Sequence, residues 1–102
     1  MISFEQAANA LMMKNIAVLD EFFLLAQSGG VQEVNEELTL TSSCELIINE
    51  LKNKEVFEAN SLRICVLMSN RKENELNEEQ FLEMIQERII LSLRKFINQN
   101  VN

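Results

Sequence analysis

The chain has 102 residues, the length of a single domain, here 1–102, around one hydrophobic core. It contains no histidine, so the commonest general base and the commonest metal ligand of proteins are missing. Sixteen acidic residues against nine scattered basic ones give a net charge of −7, whereas nucleic-acid binding needs clustered positive charge. We therefore expect no enzymatic activity, no cofactor or metal, and no nucleic-acid partner.

The first predicted helix runs from Phe4 to Gly29. Ser3 and Gln6 have the spacing of a capping box, and the glycine pair that begins at Gly29 ends the helical pattern. Apolar residues fill about half of the helix circumference, which is more than one neighbouring helix covers. We expect this helix to lie at the centre of the domain, with a dimer interface as the alternative.

Asn15 lies inside the apolar arc of this helix. We expect its side chain to reach water from the edge of the arc. The alternatives are a contact with another buried polar group, or a contact that fixes the register of the helix in a dimer.

The segment 31–41 has no clear periodicity, and we expect a loop with at most one turn of helix. At about ten residues it is longer than most connections, which makes it a candidate for a mobile or binding segment. Ser42 and Glu45 then have capping-box spacing and open a predicted helix of about three turns.

The segment 62–68 is apolar except for Arg63. A run this short does not distinguish a buried helix from a strand by its periodicity. We prefer a helix over 57–70, because no second strand is evident for it to pair with. The alternative is an α+β fold with a short strand at 62–68.

The last predicted helix covers 77–98. Asn77 is a suitable N-cap, Gln80 completes a capping box, and Leu76 with Phe81 has the spacing of a hydrophobic staple. At 3.6 residues per turn, the predicted buried face contains Leu82, Ile85, Ile89, Leu93, Phe96 and Ile97.

The absence of proline and the presence of only two glycines argue against a fold with many β-turns. The sequence therefore predicts an all-α fold, a single-domain bundle of about four helices with a long N-terminal and a long C-terminal helix.

Two apolar residues of the last helix, Met84 and Leu91, fall outside its predicted buried face and are flanked by Arg88 and Lys95. These four residues are our candidate partner-binding surface. The alternative is an ordinary exposed pair, or the edge of a wide core contact, since folded proteins leave many apolar atoms on the surface.

A second candidate surface is acidic and would attract a basic protein by electrostatic steering. It consists of Glu33, Glu36, Glu37, Glu73, Glu75, Glu78 and Glu79.

Cys44 and Cys65 have neither redox-motif nor metal-ligand spacing, and we expect two buried, reduced thiols. The N-terminus lacks the features of a signal peptide, and no run of about 18 apolar residues is present to span a bilayer. We expect a cytoplasmic protein that does not bind membranes.

These observations favour a non-enzymatic protein–protein interaction module that uses apolar helix faces, such as an adaptor, an assembly or secretion chaperone, or a subunit of a complex. The partner would be another protein, with a homodimer as a possibility. The alternative function is a small acidic inhibitor, of the immunity, antitoxin or phage anti-defence type, that blocks a basic enzyme or toxin.

Overall fold

The computed structural model describes residues 2–71 and 75–100, with only the backbone of Asn100. Over these residues the fold is mostly helical, which confirms the predicted class, and a short β-hairpin is added. The elements are α1 (Phe4–Lys14), α2 (Ile16–Gln27), β1 (Val31–Val34), β2 (Glu37–Leu40), α3 (Ser42–Lys52), α4 (Ala59–Ser69) and α5 (Glu78–Asn100). The segment 62–68 lies within α4, so the alternative strand does not form there.

One core is shared by all five helices, because each turns one apolar stripe inward. Phe81 of α5 lies at its centre, with its ring centroid 5.5 Å from that of Phe22 and 5.4 Å from that of Phe23 on α2. These tilted ring pairs are a favourable aromatic geometry. The other buried apolar side chains are Ala8, Met12, Leu19, Ala26, Cys44, Ile48, Leu51, Phe57, Leu62, Cys65, Val66, Ile85 and Ile89.

The N-terminal helix is broken at Asn15, so the prediction of one long helix is wrong. Asn15 leaves helical geometry, with φ −115° and ψ 19°, and its side-chain Nδ2 donates to the carbonyl oxygen of Leu11 at 2.8 Å. Asparagine side chains compete in this way for backbone acceptors and thereby end helices. The side chain is only 8% exposed, which also corrects our expectation that it reaches water.

The segment predicted as a loop at 31–41 contains a β-hairpin. Val31 pairs with Leu40 and Val34 with Glu37, and Asn35 and Glu36 form a two-residue turn with φ values of 52° and 67°. Two consecutive positive φ angles are the geometry of the tight turns that match strand twist. Val31 and Leu40 pack against the helical core, which holds the hairpin to the body of the protein.

Gly30 is needed where the chain leaves α2 for the hairpin. A Cβ atom at this position would lie 2.7 Å from the carbonyl oxygen of Leu25 and 3.0 Å from the Cα of Ala26. Thr41, one residue before the predicted cap, is the N-cap of α3 and accepts a hydrogen bond from the backbone N–H of Cys44. The second predicted capping site is therefore displaced by one position.

An ion pair joins α3 to α4. The Nε and Nη2 atoms of Arg63 donate to the two carboxylate oxygens of Glu45, both at 2.9 Å. This bidentate geometry is the most specific that an arginine and a carboxylate can form. It links α3 to α4, whose Ser61 lines one of the grooves described below.

Candidate functional site

The candidate site is built on α5, whose start is fixed by its caps. The backbone N–H of Asn77 donates to Oε1 of Gln80 at 3.0 Å, and the backbone N–H of Gln80 donates to Oδ1 of Asn77 at 2.8 Å. The predicted capping box is thus confirmed. Beyond it, Phe81, Ile85 and Ile89 are at most 1% exposed and hold the first half of the helix on the core.

The second half of α5 is different. Leu91, Phe96 and Ile97 are 54%, 65% and 45% exposed, and every residue in 94–99 is exposed. The prediction that Phe96 and Ile97 are buried is therefore wrong, whereas Leu82 and Leu93 of the same predicted face do pack partly against the core. We call residues 88–99 the α5 end.

Helix length is the physical reason for this exposure. The 23 residues of α5 span about 35 Å, whereas each of the other helices has 11 or 12 residues and spans about 17 Å. α1 begins beside Arg94, which lies over the Phe4 ring, and runs from there toward the first turns of α5, where the α1–α2 junction lies. The last turns of α5 therefore extend past the start of α1 and are largely exposed.

The connection between α3 and α4 faces the α5 end and is held in place by burial and by backbone hydrogen bonds. Phe57 is 3% exposed, and the neighbouring Val56 packs partly against the core. The chain turns at Glu55 with φ 67°, where its backbone N–H donates to the carbonyl oxygen of Lys52 at 3.1 Å. The segment is therefore a defined wall opposite α5.

Two adjoining grooves lie between this wall and the α5 end, and they share Glu58, Ser92 and Lys95. The larger has a volume of about 410 Å³ and is lined by Glu55, Val56, Glu58, Ser92, Leu93, Lys95, Phe96 and Gln99. The smaller, of about 260 Å³, is lined by Glu58, Ser61, Arg88, Leu91, Ser92 and Lys95. The larger groove combines Val56, Leu93 and Phe96 with three charged residues, whereas the smaller one is mostly polar around Leu91. A mixture of apolar and charged side chains is common in protein-binding surfaces.

Three of the four predicted partner-binding residues meet in the smaller groove: Arg88, Leu91 and Lys95. The fourth, Met84, is half-buried and packs against the core, which agrees with the alternative that it forms the edge of a wide core contact. Their role in partner binding stays a prediction. Phe96 and Val56 were not predicted as part of the site, because periodicity identifies the apolar face of a helix but not how far its neighbours extend along it.

The α5 end is locally basic although the protein is acidic. From Arg88 onward the sequence contains Arg88, Arg94 and Lys95 and no acidic residue. The guanidinium carbon of Arg94 lies 5.4 Å from the ring centroid of Phe4, a cation–π contact with α1. The facing wall contributes Glu55 and Glu58 to the grooves, so the positive charge belongs to the helix itself while the grooves contain charges of both signs.

Neither cysteine offers a reactive group to this site. Burial raises the pKa of Cys65 to about 11, an effect only partly offset by the nearby positive charge of Arg88. Burial, followed by the negative charge of Glu45, likewise raises the pKa of Cys44 to about 11. Both thiols are free and buried, and both stay protonated at neutral pH, whereas the thiolate is the nucleophile.

The predicted acidic surface is divided between two elements. Glu33, Glu36 and Glu37 are exposed on the hairpin, and Glu75, Glu78 and Glu79 are exposed at the start of α5. Glu73 lies outside the described residues. The carboxyl group of Glu78 hydrogen-bonds with that of Asp20, a close neighbour of like charge. This hydrogen bond raises the pKa of Glu78.

Within residues 2–71 and 75–100, no three cysteine or carboxylate side chains are grouped to hold a metal ion. In the same part of the chain, no helix has the length and apolar character needed to cross a bilayer. A search of protein-family models, of curated proteins and of solved structures finds no match to this chain. What the site can do is therefore argued from its geometry: it can bury apolar side chains of another protein.

Proposed function

We propose that this chain is a non-enzymatic protein-binding module, and that the α5 end with its two grooves is the docking surface. The observation that carries the proposal is the exposure of Leu91, Phe96 and Ile97 on one helix end beside a defined wall. An adaptor, an assembly or secretion chaperone, or a complex subunit would use such a surface. We place it in the cytoplasm, where buried cysteines stay reduced.

The energetic argument rests on the apolar side chains. Complete burial of an exposed phenylalanine, leucine or isoleucine contributes about 1.5–3 kcal/mol. A few such residues clustered beside a pocket typically dominate the binding energy of an interface, with neighbouring charges setting orientation and specificity. Phe96 and Leu91 are accordingly the expected anchors, and Arg88 and Lys95 the expected orienting charges.

The test compares two matched double variants as baits for partner capture, with bound proteins quantified by mass spectrometry. Leu91→Asp/Phe96→Asp should lose a stoichiometric partner that the wild-type chain retains at high salt. The control is Leu24→Asp/Leu46→Asp, because these side chains are 63% and 70% exposed and line a separate groove between α2 and α3. If only the control variant loses the partner, the α5 end is the wrong surface.

The acidic inhibitor is the second candidate, and the hairpin favours it. Glu33, Glu36 and Glu37 are all exposed, and residues 31–40 contain no lysine or arginine. Electrostatic steering by such a surface accelerates association with a basic protein and weakens as salt screens the charges. Loss of a basic partner at raised salt, or on reversing these three charges, supports this candidate over the first.

A further inference from the structure

Another groove lies at the opposite end of α5, where the first turns of that helix face the junction of α1 and α2. Its volume is about 450 Å³. The lining residues are Asn9, Met12, Met13, Ile16, Glu78, Glu79, Leu82, Glu83 and Gln86. We call it the acidic groove.

The acidic groove combines an apolar floor with negative charge. Met13 is 59% exposed, and Ile16 and Leu82 are partly buried. Glu78, Glu79 and Glu83 supply three carboxylates, and none of the lining residues is a lysine or arginine. Such a groove fits a helical segment whose apolar side chains are flanked by positive charge.

The α5 end is a segment of that kind within the same chain. Leu91 is exposed on the side of the helix that carries Arg94 and Lys95, Phe96 and Ile97 are exposed on its other sides, and residues 88–99 contain no carboxylate side chain. One molecule cannot join the two, because Glu79 and Lys95 are sixteen residues apart and hence separated by about 24 Å along the helix. The two surfaces can meet only between molecules.

We propose that the α5 end of one copy docks in the acidic groove of a second copy. The proposal rests on the proposed function, because it takes the α5 end as a docking surface and names its partner. The dimensions agree: the α5 wall of the groove, 78–86, and the exposed turns 91–98 are both about 11–12 Å long. If a two-fold axis relates the two copies, each α5 end occupies the acidic groove of the other copy, and the dimer is closed.

Sedimentation velocity over a range of protein concentrations tests the proposal without any unidentified partner. The wild-type chain should form dimers as concentration rises. The groove variant Glu79→Lys/Glu83→Lys and the end variant Arg94→Glu/Lys95→Glu should each be monomeric. The control Glu36→Lys/Glu37→Lys makes the same change of net charge as the groove variant, but on the hairpin, and should leave the dimer intact.

Mixing the two monomeric variants is the decisive step. Their reversed charges are complementary at both contacts, so the mixture should form a 1:1 heterodimer. A groove variant that still dimerises alone, or a mixture that stays monomeric, overturns the proposal. If a reversal variant does not fold by circular dichroism, Glu79→Gln/Glu83→Gln and Lys95→Gln replace it, and each should weaken dimerisation more than Glu36→Gln/Glu37→Gln.

Failure of this inference is separable from failure of the proposed function. A wild-type chain that stays monomeric up to about 1 mM, the range of very weak association, overturns the self-docking. If Leu91→Asp/Phe96→Asp still loses a captured partner in that case, the α5 end remains a docking surface for a different protein. If the wild-type chain dimerises as proposed, the same double variant should also be monomeric.

Discussion

The two halves of α5 have the same helical periodicity but opposite environments. Phe81, Ile85 and Ile89 are buried by α2 and the other helices, whereas Leu91 and Phe96 are largely exposed. The first half also begins with three glutamates among its first six residues, and the second half carries the positive charge. Amphipathic spacing therefore identifies which side of a helix is apolar, whereas the extent of the neighbouring helices determines how much of that side is buried.

The largest difference in stability should appear when one aromatic residue in each half of α5 is replaced by alanine. Phe81→Ala removes a fully buried ring that contacts two other rings, and it should lower the free energy of unfolding by about 3–5 kcal/mol. Phe96→Ala should lower it by less than about 1 kcal/mol, because that ring is 65% exposed. Urea denaturation of both variants measures the difference, and equal losses would place the α5 end in the core.

The next effect concerns the break that shortens the helix beside α5. Asn15→Ala removes the hydrogen bond from Nδ2 to the carbonyl oxygen of Leu11 and should destabilise the protein by about 1–2 kcal/mol. Denaturant unfolding measures this loss. An unchanged or higher stability would mean that the break is imposed by packing of α1 and α2 rather than by the asparagine.

The helix faces and caps could be predicted because they depend on local spacing. The capping box of Asn77 and Gln80 needs only two residues, and burial of Ile85 and Ile89 follows from the helical period. The break at Asn15 could not be predicted with the same certainty. Asparagine also occurs inside helices, and its capture of a carbonyl depends on the surrounding packing.

The hairpin was missed for a related reason. Its turn consists of Asn35 and Glu36 at positive φ, whereas the recognisable sequence for this turn has glycine at one of the two positions. Glutamate rarely adopts that conformation, so nothing local indicates the turn. One groove lies at the α1–α2 junction, where the helix breaks at Asn15, and two others lie beside the last turns of α5. Helical spacing groups Arg88, Leu91 and Lys95 on one side of α5, whereas the opposite wall of their groove depends on tertiary packing that local spacing does not encode.

A smaller effect should report how firmly the α5 end is held against α1. Phe4→Leu keeps an apolar side chain but removes the ring beneath the Arg94 guanidinium, so it should lower stability by about 0.5–1 kcal/mol. A double-mutant cycle with Arg94→Gln isolates this contact. A coupling energy near zero would mean that the two side chains do not interact in solution.

The smallest effect should come from the carboxyl pair at the other end of α5. Protonated Glu78 donates a hydrogen bond to the Asp20 carboxyl group, which raises the pKa of Glu78, so the folded protein holds a proton more tightly than the unfolded chain does. The stability that this proton contributes is therefore present at low pH and is lost as pH rises through the raised pKa. Asp20→Asn removes the like charge and should increase Tm at neutral pH, with a smaller gain or none at about pH 4, near the ordinary carboxyl range.

Glu21→Gln is the matched control for this last comparison, because it removes one negative charge from the adjacent position of the same helix. If both variants raise Tm equally across the pH range, the gain reflects the lower net charge of the whole protein rather than the Asp20–Glu78 pair. A gain confined to Asp20→Asn, and growing with pH, places a site of local charge repulsion at the rim of the acidic groove. A positively charged group docked there would relieve the same repulsion, so the pH profile of self-association should change in the Asp20→Asn variant as well.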